Sequence, residues 1–171
     1  MASKVFNNIA GLRVLLDGQE LEDVTKVTLP DVEHTTTEIK SAGMVADVKM
    51  PDMTHFAAME VQVQHNNGKN CNLLAAPGKH TLEVRTARQV YDIAKAEINH
   101  EPDRYRMIVT PTKSAKGDVE KSNPYGTTNT LSVLRYEEVL NRKTVMLIDA
   151  MAGKVSVNDR EYSSEIDNLL K

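Results

Sequence analysis

The sequence predicts a mainly β protein, a sandwich or barrel of short strands with one short flanking helix. Three observations carry this. Turn signals recur at Asp17-Gly18, Asn66-Asn67-Gly68, Ala152-Gly153 and Asn158-Asp159, and short runs of strand character between such turns mark all-β architectures. Ala57–His65 alternates strictly, Met59, Val61 and Val63 inward and Glu60, Gln62 and Gln64 outward, the pattern of a half-buried strand. Helical periodicity is scarce, and no internal repeat or heptad occurs. At 171 residues the chain reads as a single domain, 1–171.

In order, Leu12–Leu16 is a strand, Asp17-Gly18 a hairpin turn, and Val24–Leu29 the returning strand, with Val24, Lys26 and Thr28 on one side and Thr25, Val27 and Leu29 on the other. Pro30 ends that pairing. An arm follows over about 31–50, and Pro51-Asp52 breaks the chain after it. The alternating strand then runs to Asn66-Asn67-Gly68, and a brief helix is expected around Lys69–Ala76, closed by Pro77-Gly78. Leu82–Thr86 alternates as a strand. Ala87–Asn99 fits either a helix or a continued strand, with Pro102 limiting both. Tyr105–Thr110 is a strand, and Lys113–Asn129 a polar loop. The C-terminal strands occupy about 127–158: Thr130–Leu140 buries Leu131, Val133, Tyr136 and Val139, and Lys143–Met151 returns with Val145, Leu147 and Asp149 on one face. Val155–Val157 follows, and Ser164–Leu170 forms a last helical turn.

Composition narrows the function. With 40% hydrophobic and only 4% aromatic residues, and no Trp, the core is thin and aliphatic rather than shaped around a deep ligand pocket. A net charge of −3 gives no global attraction for nucleic acid or anionic membrane. Cys71 is alone, which excludes an intrachain disulfide and suits a reducing compartment. Met1–Ala10 lacks the apolar run of a signal peptide, and eighteen consecutive apolar residues occur nowhere. The expectation is a soluble protein made in the cytoplasm.

Chemistry is sparse. His34, His55, His65, His80 and His100 lie far apart, with no Cys or carboxylate at metal-ligand spacing. Cys71 has no local base to activate it, and Glu137-Glu138 would point to opposite faces of a strand. No glycine pattern cradles phosphate. Met44, Met50, Met53 and Met59 read as adaptable packing material for core or interface. Arg104, Arg106, Lys113, Lys116 and Lys121 make one segment basic, either a solvated face or a contact for an acidic protein surface. Catalytic residues, metal and cofactor are all expected to be none.

The arm is the unusual stretch. Thr35, Thr36, Thr37 and Ile39 favour an extended chain, yet between Glu33 and Lys40 the only apolar side chain is Ile39. Such a strand has no core face to hold it in its own monomer, and its backbone edge needs a partner. Ser41-Ala42-Gly43 supplies a reversal, and Val45–Met50 a returning limb. The stretch reads as an arm that lies on another subunit; the competing reading is a surface loop.

Taken in series, L-R-V-L-L-D-G, V-T-K-V-T-L-P-D-V, the arm E-H-T-T-T-E-I-K-S-A-G-M, A-M-E-V-Q-V-Q-H-N-N-G and the run from Ser132 to Arg160 resemble the major tail tube proteins of contractile phage tails and R-type tailocins. The resemblance covers about the first 68 residues and those from Tyr105 onward. Asn70–Asp103 matches poorly, Asn141-Arg142 stands where a glycine-containing turn is expected, and the usual Leu-Gly-Leu close is absent. The resemblance implies a tail-tube-like fold with an extended β-hairpin arm. Six copies would close into a ring, and stacked rings would form the inner tube of a contractile tail, carrying DNA in a phage or perforating an envelope in a tailocin. Glu33, His34, Thr35, Thr36, Thr37, Glu38, Ile39, Lys40, Gly43 and Met44 would make the inter-ring arm, and Lys113, Lys116 and Lys121 a sheath-facing loop. Partners would be other copies, the sheath, baseplate or tail-initiation proteins and a tape measure. The place would be the virion tail, assembled in the host cytoplasm without a membrane anchor. A type VI secretion ring protein is the near alternative, and a small ligand-binding or enzymatic β-barrel the distant one.

Overall fold

The computed structural model describes residues 4–40, 43 and 45–163; Ser41, Ala42, Met44 and the expected turn at Ser164–Leu170 lie outside the described residues. β1 (Lys4–Leu16) turns through Asp17-Gly18 into the short β2 (Gln19–Glu20). Both turn residues take positive φ, 50° and 84°, as a two-residue hairpin turn requires.

β3 (Val24–Thr28) does not return along β1 as the sequence suggests; it pairs with β6 (Met59–His65). The reason is Leu21, which is buried and donates its N–H to Val14 O at 2.8 Å, ending the β1–β2 ladder and turning the chain away. The expected two faces of β3 also change. Thr25 is left between the Val24–His65 and Lys26–Gln64 pairs, so a bulge brings Val24 and Val27 to the same core side, beside Leu29.

β4 (His34–Ile39) and β5 (Val48–Phe56) form a separate two-stranded sheet. Pro51-Asp52 is not a break: Pro51 sits in β5 opposite Thr36, on an edge strand where a missing N–H need cost no ladder bond. After β6, Asn67 caps α1 (Gly68–Leu74), its side chain accepting from Lys69 N at 2.9 Å, and the helix buries Cys71 and Leu74.

β7 (His80–Asp92) and β8 (Glu97–Ala115) resolve the ambiguous segment as strand, turn and strand. Pro102 lies within β8 yet breaks no ladder. Its carbonyl accepts from Asn141 N at 3.0 Å on the side of β9 (Thr127–Leu140), whose pairing with β8 has already ended at Leu140–Asp103. In an extended strand the N of a residue points the same way as its carbonyl, so the missing donor falls where no strand requires it. The polar loop is shorter than expected. β8 continues to Ala115 because Ser114 and Ala115 pair with Asn129 and Thr128, which places Lys113 on a strand and leaves only 116–126 as loop. β10 (Lys143–Asp149), β11 (Lys154–Val157) and β12 (Arg160–Glu161) complete the chain.

The main sheet runs β2-β1-β7-β8-β9 and forks at the far edge of β9: Thr127–Val133 pairs with β6, and Arg135–Leu140 with β10. A register shift at the fork explains why burial along β9 passes from Leu131 and Val133 to Tyr136. Val139 is only half-buried, and on β10 the core side is Met146 and Ile148, opposite Val145 and Leu147. One aliphatic core collects Val14 of β1, Val61 of β6, Leu82 of β7, Met107 of β8, Leu131 of β9 and Leu74 of α1, so the forked sheet wraps a single interior.

Candidate interaction site

The arm is built from its root outward. Glu33 O accepts Ala57 N at 2.8 Å, closing the base. His34 stacks on Phe56 with ring centroids 4.5 Å apart, and its Nδ1 lies 3.0 Å from Asp52 O; Thr35 Oγ1 donates to His55 O at 3.3 Å. Those side chains satisfy the backbone bulge of β5 between Pro51 and Phe56. Glu33, His34 and Thr35 therefore belong to a root fixed on their own chain. The cleft beside the root, of about 200 Å³, is lined by Val32, Met53, Phe56, Met146 and Tyr162.

Beyond the root the ribbon is two-faced. Thr37 lies opposite Met50 and Ile39 opposite Val48, so these four share one side; Thr36, Glu38, Lys49 and Pro51 share the other. Lys40 Nζ reaches Glu38 at 3.3 Å and Asp47 at 3.4 Å, so these charges are gathered among themselves. Ile39, Val48 and Met50 are all exposed. Gly43 turns the tip at φ +100°, a conformation open to glycine. Among the described residues, β4 and β5 pair only with each other, so each strand keeps an open outer edge. The expected polar strand is thus one limb of an amphipathic hairpin whose apolar face comes mostly from the other limb.

Lys113, Lys116 and Lys121 are all exposed. Lys116 Nζ donates to Asn72 Oδ1 of α1 at 2.5 Å, and the Tyr125 ring packs on Gly68 at the start of the helix. Gly117, at φ +72°, has no room for a side chain: a Cβ would lie 2.1 Å from Tyr125 O. The loop is held against α1 from both ends. Arg104 and Arg106 are not part of it; they sit on β8 beside Glu83, at 3.2 and 3.9 Å, and with Arg85 they hold the Glu83 carboxyl below the usual range, the Arg85 hydrogen bond contributing most. The single basic stretch of the sequence is two separate features.

Under the helix a buried polar cluster closes the end of β9. Asn129 Nδ2 donates to Cys71 O at 3.2 Å and to Ser114 Oγ at 2.7 Å, while its Oδ1 lies 2.9 Å from His65 Nε2. Thr127 Oγ1 donates to His65 O at 2.7 Å. Cys71 and His65 are wholly buried and serve packing. Among the described residues no group of three or more His, Cys, Asp or Glu is placed to hold a metal ion, and no helix is long and apolar enough to cross a membrane.

Sequence reasoning missed a second exposed feature. Past the end of β9, the strands β1, β7 and β8 continue as a projecting three-stranded ear. On one side Arg88 lies over the Phe6 ring at 4.3 Å, Arg88 Nη2 donates to Asp103 Oδ1 at 3.4 Å, and Lys4 Nζ meets Glu101 at 2.6 Å. On the other, Val5, Tyr91 and Ile98 stand directly opposite one another and are all exposed. Reading Val90–Ile93 as continued strand turns Tyr91 outward, but no local signal gives its pairing with Val5.

A family model described as phage tail tube protein FII matches residues 7–170. Solved structures share the fold. One is a chain of an extracellular contractile injection system, PVC sheath/tube terminator in extended state, 13% identical, with a TM-score of 0.52 over 77% of this chain and 95% of that one. Another is a chain of the PVC sheath-tube complex in extended state, 13% identical, with a TM-score of 0.50 over 75% of this chain and 88% of that one. No curated protein matches the sequence.

Proposed function

Because the chain belongs to the phage tail tube protein FII family, and is thereby a tail tube subunit, we propose that its copies close into hexameric rings that stack, through the arm, into the inner tube of a contractile tail or tailocin. The observation that carries the stacking is the arm itself. A two-stranded ribbon is marginal alone in water, and this one carries an uncovered apolar face and two open edges. Both find cover when the arm lies on a copy in the next ring. The contacting residues are those from Thr36 to Lys40, Gly43 and Met44 with the returning Val48 and Met50, while Glu33, His34 and Thr35 set the angle at which the arm leaves the body. Such a head-to-tail contact propagates along an axis.

The same reading gives the tube a sheath around it, with Lys113, Lys116 and Lys121 facing outward, and a channel that conducts DNA in a phage or perforates an envelope in a tailocin. Initiation at a baseplate, length set by a tape-measure protein and assembly in the host cytoplasm complete it. The similar PVC structures, a sheath-tube complex and a sheath/tube terminator, support the sheath partner.

Electron microscopy of the purified protein tests the proposal. Thr37 and Met50 are register partners, and Met50 keeps the backbone N–H that a two-residue turn needs, so an Asn-Gly turn replacing residues 38–49 closes the hairpin below its tip without disturbing the root. The wild type is expected to form rings and stacked tubes, and the shortened variant to remain folded, with an unchanged melting temperature, yet never elongate. Normal tubes from that variant would leave the arm without a stacking role.

A further inference from the structure

We propose that the row Val5–Tyr91–Ile98 on the ear is the seat for the apolar face of another copy's arm; this deepens the stacking reading above and rests on it. The two surfaces share a chemistry. Ile39, Val48 and Met50 are 39%, 42% and 52% exposed, and Val5, Tyr91 and Ile98 are 49%, 40% and 59% exposed. Each trio forms one continuous patch on a β surface rather than scattered apolar residues, the arrangement that marks an interaction site.

Charge placement favours this pairing. The arm carries Glu38 and Lys49 on the face away from Ile39 and Val48, and the ear carries Lys4, Arg88 and Glu101 on the face away from Tyr91. Laying apolar face on apolar face therefore buries no ion, which would be costly without a partner. The next register pair on the row's face is Gln89 and His100, opposite each other. Width matches as well. Strands lie about 4.8 Å apart, so the ear row spans about 10 Å across three strands, enough to seat a two-stranded ribbon at the usual separation of packed sheets, about 10 Å. The Met50 thioether and the Tyr91 ring are a favourable pair, since sulfur packs well against aromatic edges.

The logic of polymer growth selects this contact over its rivals. Arm on arm, or ear on ear, is isologous and closes a dimer; arm on ear joins two different patches and leaves an arm free at one end and an ear at the other. Within one chain the arm's strands pair only with each other among the described residues, so the two patches are left for other copies.

A cysteine pair tests it. Cys71 is fully buried and silent to mild oxidation, so Met50→Cys and Tyr91→Cys can be introduced together into the full chain. On a non-reducing gel, oxidised tubes of the double variant are expected to give a ladder extending past the dimer, with no crosslink from either single variant. Tubes visible by electron microscopy without a ladder overturn the contact and leave the tube reading standing. Dimers from Met50→Cys alone, meaning arm on arm, overturn it too. A wild-type protein that never assembles overturns both. As a second measurement, Tyr91→Ser is expected to raise the concentration needed for assembly by about tenfold or more, equivalent to 1.4 kcal/mol, and Tyr91→Phe to leave it unchanged. Assembly of Tyr91→Ser at wild-type concentration refutes the seat.

Discussion

Asp17 and His80 tie the first turn of the chain to the segment after the helix. Asp17 Oδ1 accepts Thr81 N at 2.8 Å, Asp17 Oδ2 lies 2.7 Å from His80 Nδ1, and His80 Nε2 lies 3.0 Å from Ala76 O. With both ring nitrogens facing acceptors, the imidazolium is favoured, and the pKa of His80 rises above its ordinary 6.5, chiefly through the Asp17 hydrogen bond and then the Ala76 carbonyl. Asp17 is held below 3.8, first by the Thr81 N–H and then by His80. The stabilisation from His80 is fully present below pH 6.5 and is lost as pH rises through the elevated folded value; that from Asp17 is present above pH 3.8 and is lost as pH falls through the depressed one. Asp17 is half in solvent, so the pair is worth at most ~1 kcal/mol, about 2–4 °C for a chain of this size. Thermal melts between pH 6 and pH 9 are expected to fall by that amount in the wild type beyond any fall in His80→Gln. Equal slopes in the two proteins would show that the imidazolium has no such role.

At the scale of elements, legibility followed the range of the interaction that decides each one. β6 and α1 were readable because alternation over seven residues, and a short helix-friendly run closed by Pro77-Gly78, are local signals. The partner of β3 was not, because the buried Leu21 redirects the chain across the core and the Thr25 bulge rotates one residue out of phase. Pro51 reads as a break and Pro102 as a limit to the preceding segment, yet each sits within a strand where the ladder asks for no donor. The arm was legible as an extended polar segment with a reversal at Gly43. Its apolar face was not, since one residue comes from the outgoing limb and two from the return, and only register brings Ile39, Val48 and Met50 together. The ear stayed hidden for the same reason, since its row joins the β7–β8 hairpin residues Tyr91 and Ile98 to Val5, far away in the sequence. The arm's two faces give a direct contrast. Ile39→Ser with Val48→Ser is expected to raise the concentration needed for tube growth about a hundredfold, from roughly 3 kcal/mol of lost apolar burial. Glu38→Gln with Lys49→Gln is expected to leave it within about twofold. Light scattering against protein concentration measures both, and equal effects from the two pairs would mean the ribbon does not dock by its apolar face.

For the whole molecule, function lies in how identical surfaces are distributed around one thin core. The subunit invests little in a pocket; an exposed apolar cluster stands on each of two projections, the arm and the ear, and Lys116 is held beside the helix by Asn72. Two kinds of contact then differ in their response to salt. The proposed tube contacts of Ile39, Val48, Met50 and the ear row are apolar, and salt would strengthen such burial or leave it unchanged. The proposed contacts of Lys113, Lys116 and Lys121 with an acidic sheath surface would be screened, since the Debye length shrinks from about 10 Å at 0.1 M to about 3 Å at 1 M. Assembled tubes are therefore expected to survive 1 M NaCl, while sheath binding to them weakens steeply. Replacing the three lysines by Glu is expected to keep tube formation at wild-type concentration and to abolish sheath binding at 0.1 M salt, read by co-sedimentation with purified sheath protein. Sheath binding that survives both the triple replacement and high salt would move the outer contact to another face of the subunit, and tubes that dissolve in 1 M NaCl would place charge, not the apolar faces, at the joint between rings.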